Sequence, residues 1–439
     1  MAKYQKYAEY KDSGVEWLGD IPSHWEIKRL GSFFEERREK VSDTDYPALS
    51  VTKNGIVPQL DNAAKTDAGD NRKLVKVNDF VINSRSDRKG SSGVSPYTGS
   101  VSLISIVMEP HRIYPPYAHH LLRSYPFQEE FYRYGKGIVA DLWSTNSSEM
   151  KNILLPDLTI EEQEKIANFL DHETAQIDTL IAKQEKLIEL LKEKRQAVIS
   201  HAVTKGLNPN VPMKDSGVEW LGEVPEHWKV IKFNHVVQIR NGLVDPRDDK
   251  FKNLILYAPN HIEKATGKIL YKETAEEQGA DSNKYLCFKG EVIYSKIRPA
   301  LAKVAICEEA TALCSADMYP MDSYNGLSNQ FLYYFILSDS FTEAVILDSD
   351  RVAMPKINRE SLSDYKLPIP PMNEQLKIID FIEMTGKYLD CLETKAVQAI
   401  QLMQERRTAL ISAAVTGKID VRNWQNPNKN KEADMELSA

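Results

Sequence analysis

Two short polar segments of this chain carry the residue types that bind phosphate groups and read base edges. One runs from Asn83 to Ser92, directly after an apolar run that predicts a strand. The other runs from Tyr294 to Pro299 and also follows a predicted strand. Lysine and arginine neutralise phosphates, and the arginine fork can donate two hydrogen bonds to guanine. The candidate DNA-binding residues in these segments are Arg85, Arg88, Lys89, Ser91, Tyr294, Lys296 and Arg298.

The two segments occupy matching places in the chain when Ser84 is aligned with Ser295. A solvated turn is the alternative for both, because turns rich in Gly, Ser and Asp need no ligand. A further pair of candidates is formed by Asn146 and Asn358, with Lys356 close to the latter. Asparagine can pair bidentately with adenine, but it is also a common helix N-cap. Both roles stay open from the sequence.

The motifs of covalent and cofactor chemistry are missing from this sequence. It contains no G-x-x-x-x-G-K-[ST] loop, no G-x-G-x-x-G cradle, no H-E-x-x-H and no G-x-S-x-G. The four cysteines form no C-x-x-C pair, which argues against a zinc site or a disulfide framework. We therefore expect no catalytic residue, no bound cofactor and no metal in this chain.

Composition describes a folded protein with no general preference for nucleic acid. The 439 residues are 42% hydrophobic and 27% charged, with a formal net charge of −7. Any DNA contact must therefore come from local patches. No apolar run approaches the roughly 18 residues of a membrane span, and the N-terminus lacks a secretory signal pattern. A cytoplasmic protein with no membrane partner is expected.

The chain contains a tandem repeat with two conserved frames. KDSGVEWLGDIPSHWEI from Lys11 matches KDSGVEWLGEVPEHWKV from Lys214 at 12 of 17 positions. We call this the tryptophan motif. A later stretch also repeats, LPDLTIEEQEKIANFLD from Leu155 matching LPIPPMNEQLKIIDFIE from Leu367. A motif kept twice should contact the same thing twice, either the chain's own long helices or two copies of one partner. The frame residues singled out are Trp17, Trp25, Trp220 and Trp228.

The repeated tails predict two long helices. Apolar residues recur at alternate spacings of four and three from Ile166 to Val198, and the same pattern recurs from Ile378 to Leu410. Each helix should hold about 45 residues, and since neither can bury its stripe alone, the two should pack on each other. Folding of each helix back on its own variable block is the alternative.

The blocks between the frames predict a mixed α/β (α+β) fold. Short β-branched runs such as Glu291 to Tyr294 indicate strands, while Tyr117 to Tyr134 and Leu327 to Leu347 each indicate one helix. The predicted organisation is a first motif and variable domain over 1–154, a long helix over 155–206, a linker with the second motif and variable domain over 207–366, a second long helix over 367–418 and a polar tail over 419–439.

This arrangement resembles the specificity subunit of type I restriction-modification enzymes. The resemblance rests on G-V-E-W-L-G-x-x-P-x-H-W, on E-Q-x-K-I opening each long helix, and on G-E-V-I-Y-S-K-I-R-P from Gly290, and it covers Lys11 to Lys418. It implies two globular target-recognition domains joined by two helices in an antiparallel coiled coil, with a pseudo-twofold axis. The first block departs from the family in having Ser-Arg-Ser-Asp-Arg in place of K-I-R-P.

The resemblance also implies the partners. Each recognition domain would read one half of an asymmetric, bipartite site in double-stranded DNA. Two modification subunits would supply S-adenosylmethionine-dependent methylation, and two restriction subunits would supply ATP- and Mg-dependent translocation and cleavage. The competing hypotheses are a coiled-coil scaffold with two adaptor domains that do not bind DNA, and a stand-alone nuclease or methyltransferase, for which no motif is present.

Overall fold

The chain is described by a computed structural model over residues 4–60, 69–137, 143–349 and 355–427. These residues form two compact units. Unit 1 holds residues up to 184 together with those from 398 onward, and unit 2 holds residues 185–397. Each long helix therefore contributes one part to each unit. The described part of the chain has no helix that is both long and apolar enough to cross a membrane.

The described residues of unit 1 form thirteen short strands and three short α-helices, followed by a long helix. The strands are β1 (Tyr10–Asp12), β2 (Asp20–Pro22), β3 (Glu26–Arg29), β4 (Phe34–Glu36), β5 (Lys40–Val41), β6 (Leu49–Thr52), β7 (Gly55–Pro58), β8 (Arg72–Val75), β9 (Phe80–Asn83), β10 (Ser92–Val94), β11 (Gly99–Val101), β12 (Ser105–Pro110) and β13 (Leu154–Asp157). The helices are α1 (Pro115–Arg123), α2 (Tyr125–Arg133), α3 (Ser147–Met150) and the long α4 (Ile160–Lys205).

Unit 2 repeats this order. Its strands are β14 (Met213–Asp215), β15 (Glu223–Pro225), β16 (Lys229–Lys232), β17 (Val237–Ile239), β18 (Leu243–Val244), β19 (Leu256–Tyr257), β20 (Lys284–Phe288), β21 (Val292–Ser295), β22 (Val304–Ile306), β23 (Thr311–Cys314), β24 (Met318–Ser323) and β25 (Lys366–Ile369). Its helices are α5 (Asn329–Leu337), α6 (Asp339–Ser349), α7 (Arg359–Asp364) and the long α8 (Met372–Val415).

The two variable blocks share one sheet topology despite their dissimilar sequences. A four-stranded sheet has the order β10-β9-β12-β4 in unit 1 and β22-β21-β24-β17 in unit 2. A second sheet has the order β11-β8-β5 in unit 1 and β23-β20-β18 in unit 2, where β19 adds a parallel edge strand. Short β-branched and aromatic runs bounded by turn residues produce these strands. The loops after β9 and β21 thus leave equivalent strands.

Each block is closed by a pair of strands from the repeated frame. β3 pairs antiparallel with β13, so that Lys28 faces Leu155, and β16 pairs with β25 in the same way. The Leu-Pro segment that precedes each long helix is therefore tied to the end of the tryptophan motif. Everything between these two strands can vary while the attachment to the helix stays fixed.

The single helix predicted in each block is two helices. Ser124 separates α1 from α2 with extended backbone angles (φ −62°, ψ 145°), and Ser338 separates α5 from α6 in the same way (φ −68°, ψ 146°). Each serine hydroxyl caps the helix that follows it. The prediction was wrong because helical spacing of apolar residues continues across the break, whereas the serine cap is a local signal.

The two long helices are confirmed, with 46 residues in α4 and 44 in α8. Within unit 2, Lys192 lies 3.5 Å from Glu393, and Arg195 forms an ion pair with Asp390. Partner numbers fall as residue numbers rise, so these helix segments run antiparallel. Within unit 1, the Asp178 carboxylate lies 2.9 Å from Arg407.

Candidate nucleic-acid interface

In unit 2 the predicted loop is fixed by the segment that precedes α7. The Ile357 N–H donates to the carbonyl of Lys296 and the Arg298 N–H donates to the carbonyl of Pro355, both at 2.9 Å. A bridge between Ile297 and Lys356 completes this pairing. The predicted residues Lys296, Arg298 and Lys356 therefore lie together at one end of the sheet. The side chains of Arg298 and Lys356 are exposed.

Arg298 has a left-handed backbone conformation. Its φ and ψ are 48° and 59°, a region that costs a non-glycine residue roughly 1–2 kcal/mol. The Leu301 N–H donates to its carbonyl at 2.9 Å, which starts the short turn Pro299–Leu301. Strain of this kind persists where the surroundings impose it, and it concentrates at functional sites.

A cleft of about 540 Å³ lies beside Arg298. Lys284 and Lys303 also line it, as do the carboxylates of Asp281 and Asp317. The Lys284 residue is only 7% exposed, and its ammonium donates to the carbonyl and hydroxyl oxygens of Ser282. Burial lowers the pKa of Lys284, although the two aspartates act in the opposite direction. The cleft therefore offers both donors and acceptors to a polar ligand.

Two cations, one of them from this loop, lie over the ring of Tyr319. The Lys296 ammonium lies 5.6 Å from its centroid, and the Arg359 guanidinium lies 5.1 Å from it. Arg359 also donates to the side chain of Asn241 at 2.6 Å. A cation over an aromatic face is stabilised by the ring quadrupole. Arg359 is thus held in place by the protein, whereas Arg298 extends from the surface.

In unit 1 the equivalent loop is fixed by the same type of pairing. The Ser86 N–H donates to the carbonyl of Trp143 at 2.9 Å, and the Thr145 N–H donates to the carbonyl of Ser84 at 3.0 Å. The neighbouring Arg85 is exposed and forms a bridge with Ser144. Both loops therefore pair with the chain that leads to the frame.

The cations of the unit 1 loop differ in how freely they can bind a ligand. Arg88 has a 68% exposed side chain and lies 3.5 Å from its neighbour Asp87. Lys89 forms a 2.5 Å ion pair with Glu129 and lies 5.9 Å from the ring centroid of Tyr132. Arg85 and Arg88 are therefore more available than Lys89, whose charge is already neutralised.

The alignment of Ser84 with Ser295 is wrong by one residue. The matching hydrogen bonds place Ser84 opposite Lys296 and Ser86 opposite Arg298. Asn83, the last residue of β9, is the counterpart of Ser295. The two loops therefore carry their cations at different positions on equivalent backbones. The incorrect alignment matches Ser84 to Ser295 because both segments contain a serine near the end of the strand.

Two of the predicted DNA contacts are buried. Tyr294 is 2% exposed, and its ring packs 6.0 Å from that of Phe341 in the core of unit 2. Ser91 is 6% exposed, and its N–H donates to the carbonyl of Arg88. Neither side chain presents much surface to a ligand, so their burial argues against the predicted contact with DNA. Their structural role is to support the loops.

The two asparagines cap helices, which was the alternative left open by the sequence. The Asn146 amide oxygen accepts from the Glu149 N–H at 2.9 Å, and the Asn358 amide oxygen accepts from the Ser361 N–H at 2.7 Å. Both residues are exposed beside their loops. Their capping bond occupies the oxygen that bidentate pairing with adenine would use.

Two of the frame tryptophans bind the chain's own long helices. The Trp25 ring N–H donates to Glu162 in unit 1, and the Trp228 ring N–H donates to Glu374 in unit 2, both at 3.1 Å. Trp17 and Trp220 are half-buried, and each packs on the rings of its own unit. The repeated motif therefore contacts the long helices, one of the two explanations that the sequence allowed.

Glycine ends both long helices where these tryptophans approach. Gly206 and Gly417 have φ values of 77° and 75°. A Cβ at Gly417 would lie 2.4 Å from Pro22, and one at Gly206 would lie 3.2 Å from the Trp228 ring. Glycine is thus required at both helix ends by backbone conformation and close packing.

The sequence did not identify Lys284, Lys303 or Arg359 as candidates. Lys303 lies between apolar residues and Lys284 lies in a polar stretch, so neither belongs to a cluster of cations in the sequence. Arg359 directly follows the candidate Asn358, and this position was the one feature of the sequence that could have identified it as a candidate. The fold brings these residues together from segments that are distant in sequence.

Comparison with known proteins gives consistent matches along most of the chain. The family model described as the type I restriction modification DNA specificity domain matches residues 225–402. The chain is 28% identical over 430 residues to the type I restriction enzyme EcoDI specificity subunit of Escherichia coli, covering 93% of this chain and 92% of that one. It is 24% identical over 435 residues to the MjaVIII specificity subunit of Methanocaldococcus jannaschii, covering 92% and 95% of the two chains.

Two solved structures share the fold. One comes from work on complex assembly and conformational transition of the type I R-M system, with a TM-score of 0.68 at 14% identity, covering 91% of this chain and 99% of that one. The other is the HsdS subunit from Thermoanaerobacter tengcongensis, with a TM-score of 0.53 at 15% identity, covering 91% and 98%. At these identities the likeness establishes the fold.

Proposed function

Since the chain belongs to the specificity subunits of type I restriction-modification enzymes, we propose that its two units each read one half of a bipartite DNA site. It is a non-catalytic subunit that recognises the DNA target. One observation supports the further division of labour. Two loops leave equivalent strands, pair with equivalent segments and carry cations at different positions. Two loops with the same backbone pairing but different exposed side chains would recognise half-sites of different sequence.

The side chains proposed to contact DNA are those that the fold leaves available. In unit 2, Arg298 combines an exposed guanidinium with a backbone conformation that the surrounding hydrogen bonds impose. In unit 1, Arg85 and Arg88 take this role. An arginine can bind a guanine edge through two hydrogen bonds, so each of these residues can specify a base. Lys296 and Lys356 are better suited to contacting phosphate. Lys89, which pairs with Glu129, is better suited to positioning the loop, as are Asn146 and Asn358.

The cleft beside Arg298 supports base reading by unit 2. Its lining combines the cations of Lys284 and Lys303 with the acceptors Asp281 and Asp317. A phosphate site would need little besides cations, whereas base edges in the major groove present both donors and acceptors. The mixed lining therefore fits a base edge better than a phosphate.

The assembly we propose places chemistry in partner subunits. Two modification subunits would bind S-adenosylmethionine, and two restriction subunits would bind ATP and Mg. The two long helices would pack as an antiparallel coiled coil and set the spacing of the half-sites. Inserting four residues near Ala197 would add about 6 Å of helix and is expected to lengthen the spacer without changing the bases read. An unchanged spacer would refute the role of the helices as a ruler.

Binding measurements on the assembled methyltransferase test the recognition role. Arg298→Ala should weaken binding of the cognate site by about 1–3 kcal/mol and relax one base position. The control Lys186→Ala removes an exposed cation that pairs with Glu189 on α4, and it should leave binding unchanged. A lack of salt-dependent DNA binding in the parent complex would favour the alternative of a scaffold whose domains do not bind DNA.

A further inference from the structure

An open groove in unit 2 lies beside the second tryptophan motif. Its volume is about 990 Å³, and it is bounded by the motif, by α6 and by the end of α7. Its principal lining residues are Glu219, Trp220, Glu343, Leu347, Asp348 and Asp364. The Leu347 side chain is notable because 73% of this large apolar residue is exposed.

The groove has a surplus of negative charge. Lys366 is the only cation among the lining residues that the structure describes, against four carboxylates. Asp364 forms an ion pair with Lys232 at 3.0 Å, and Asp348 accepts from the Tyr365 hydroxyl. Within the described ranges, Glu219 and Glu343 have no ion pair. Such a surface repels phosphate, so nucleic acid is not its ligand.

Unit 1 fills the equivalent place with a cation of its own. The serine caps align α2 with α6, so Arg133 is the counterpart of Leu347, and the repeated motif aligns Glu16 with Glu219. The Arg133 guanidinium lies 2.7 Å from the Glu16 carboxylate and 3.4 Å from Glu130. Unit 1 thus supplies internally the cation that Glu219 lacks among the described residues of unit 2.

We propose that this groove of unit 2 binds a segment of the modification subunit that carries an Arg or Lys beside an apolar side chain. The cation would take the place that Arg133 occupies in unit 1 and pair with Glu219 and Glu343. The apolar neighbour would cover Leu347 and the face of Trp220. Exposed carboxylates beside an uncovered leucine are complementary to a cation with an apolar neighbour.

The choice of partner rests on the proposed function. Methyl transfer requires the modification subunit to be held close to the half-site that is read, so it should dock on the unit that reads it. Because Arg133 already pairs with Glu16 in unit 1, whereas Glu219 has no ion pair among the described residues of unit 2, the two modification subunits would be bound unequally.

Titration of the purified modification subunit into the purified full chain tests this proposal. Leu347→Arg lets the chain pair its own cation with Glu219, as unit 1 does, and should weaken binding of one of the two copies about tenfold. Leu347→Met is the matched control and should bind as the parent chain does. Glu219→Gln removes the carboxylate and should also weaken binding of one copy of the modification subunit. Circular dichroism checks the fold of each variant.

Two equal copies bound with unchanged affinity by Leu347→Arg and Glu219→Gln would overturn the proposal. So would a loss confined to the restriction subunit. The DNA affinity of the variants, measured with the modification subunit in saturating excess, distinguishes failure of the docking proposal from failure of the proposed DNA-recognition role. It should stay at the parent value, whereas failure of the recognition role would appear as a lack of cognate-site preference in the parent chain itself.

Discussion

In unit 1 the loop after β9 carries its cations at Arg85, Arg88 and Lys89, whereas the loop after β21 in unit 2 carries them at Lys296 and Arg298. The backbones of both loops make the same pair of hydrogen bonds to the segment ahead of the frame. The frames themselves share one contact, since each buried tryptophan donates to a glutamate at the start of a long helix. The two loops are thus attached in the same way, but the side chains that they expose differ. This combination is expected of a protein that binds two half-sites of different sequence.

The largest expected effect tests whether the two frames are equivalent. Trp25→Ala and Trp228→Ala each remove a ring that is at most 1% exposed, and each should cost about 3–5 kcal/mol of unfolding free energy in its own unit. Hydrogen exchange followed by peptide would resolve the unit affected. Loss of protection spread evenly over both units would show that the frames do not stabilise their units separately.

A second prediction separates the units by acid sensitivity. Burial lowers the pKa of His119 in α1 to about 3, from about 6.5 in an unfolded chain. The unfolded chain therefore binds the proton first, and unit 1 should lose stability as pH falls below about 6.5, by up to about 3 kcal/mol at pH 4. Unit 2 has Tyr333 at the equivalent position.

Denaturant titrations at pH 7 and pH 4, with exchange protection read for each unit, would measure this difference. His119→Gln keeps an acceptor for the Arg123 guanidinium, which lies 2.6 Å from the imidazole. This variant should flatten the pH dependence of unit 1 alone. An equal acid response in both units would assign the effect to groups other than His119.

The third prediction concerns an inequality between the frames. Glu162 accepts hydrogen bonds from Tyr7 and Trp25, and its side chain is 6% exposed, whereas the equivalent Glu374 is 27% exposed. Glu162→Gln should therefore cost about 1–3 kcal/mol, and Glu374→Gln should cost less. Thermal unfolding of the two variants compares them directly, and a larger loss in Glu374→Gln would reverse the ranking.

The smallest effect concerns the strained loop. Arg298→Gly should stabilise unit 2 by up to about 1 kcal/mol, because glycine adopts a positive φ without steric cost. It should nevertheless weaken DNA binding, since the cation is lost. Arg298→Ala serves as the comparison that removes the cation but keeps the strain. A glycine variant that is no more stable than the alanine variant would show that the conformation carries no strain.

Repetition explains how far the sequence could predict this structure. The frames and the long helices that begin at Ile160 and Met372 follow from local patterns that appear twice. The break at Ser124 was missed because one serine cap is a weak signal within a continuous apolar pattern. The cleft of Lys284 and Arg298 could not be predicted, since strands distant in sequence bring its residues together.

Replacing residues 231–366 with the corresponding block of a relative tests the central claim most directly. Each block is tied to its frame by one antiparallel strand pair, so the exchange should leave unit 1 and both frames intact. Sequencing of methylated adenines in cells that carry the assembled system should then show one half-site changed and the other half-site retained. A change in both half-sites, or in neither, would contradict the assignment of one half-site to each unit.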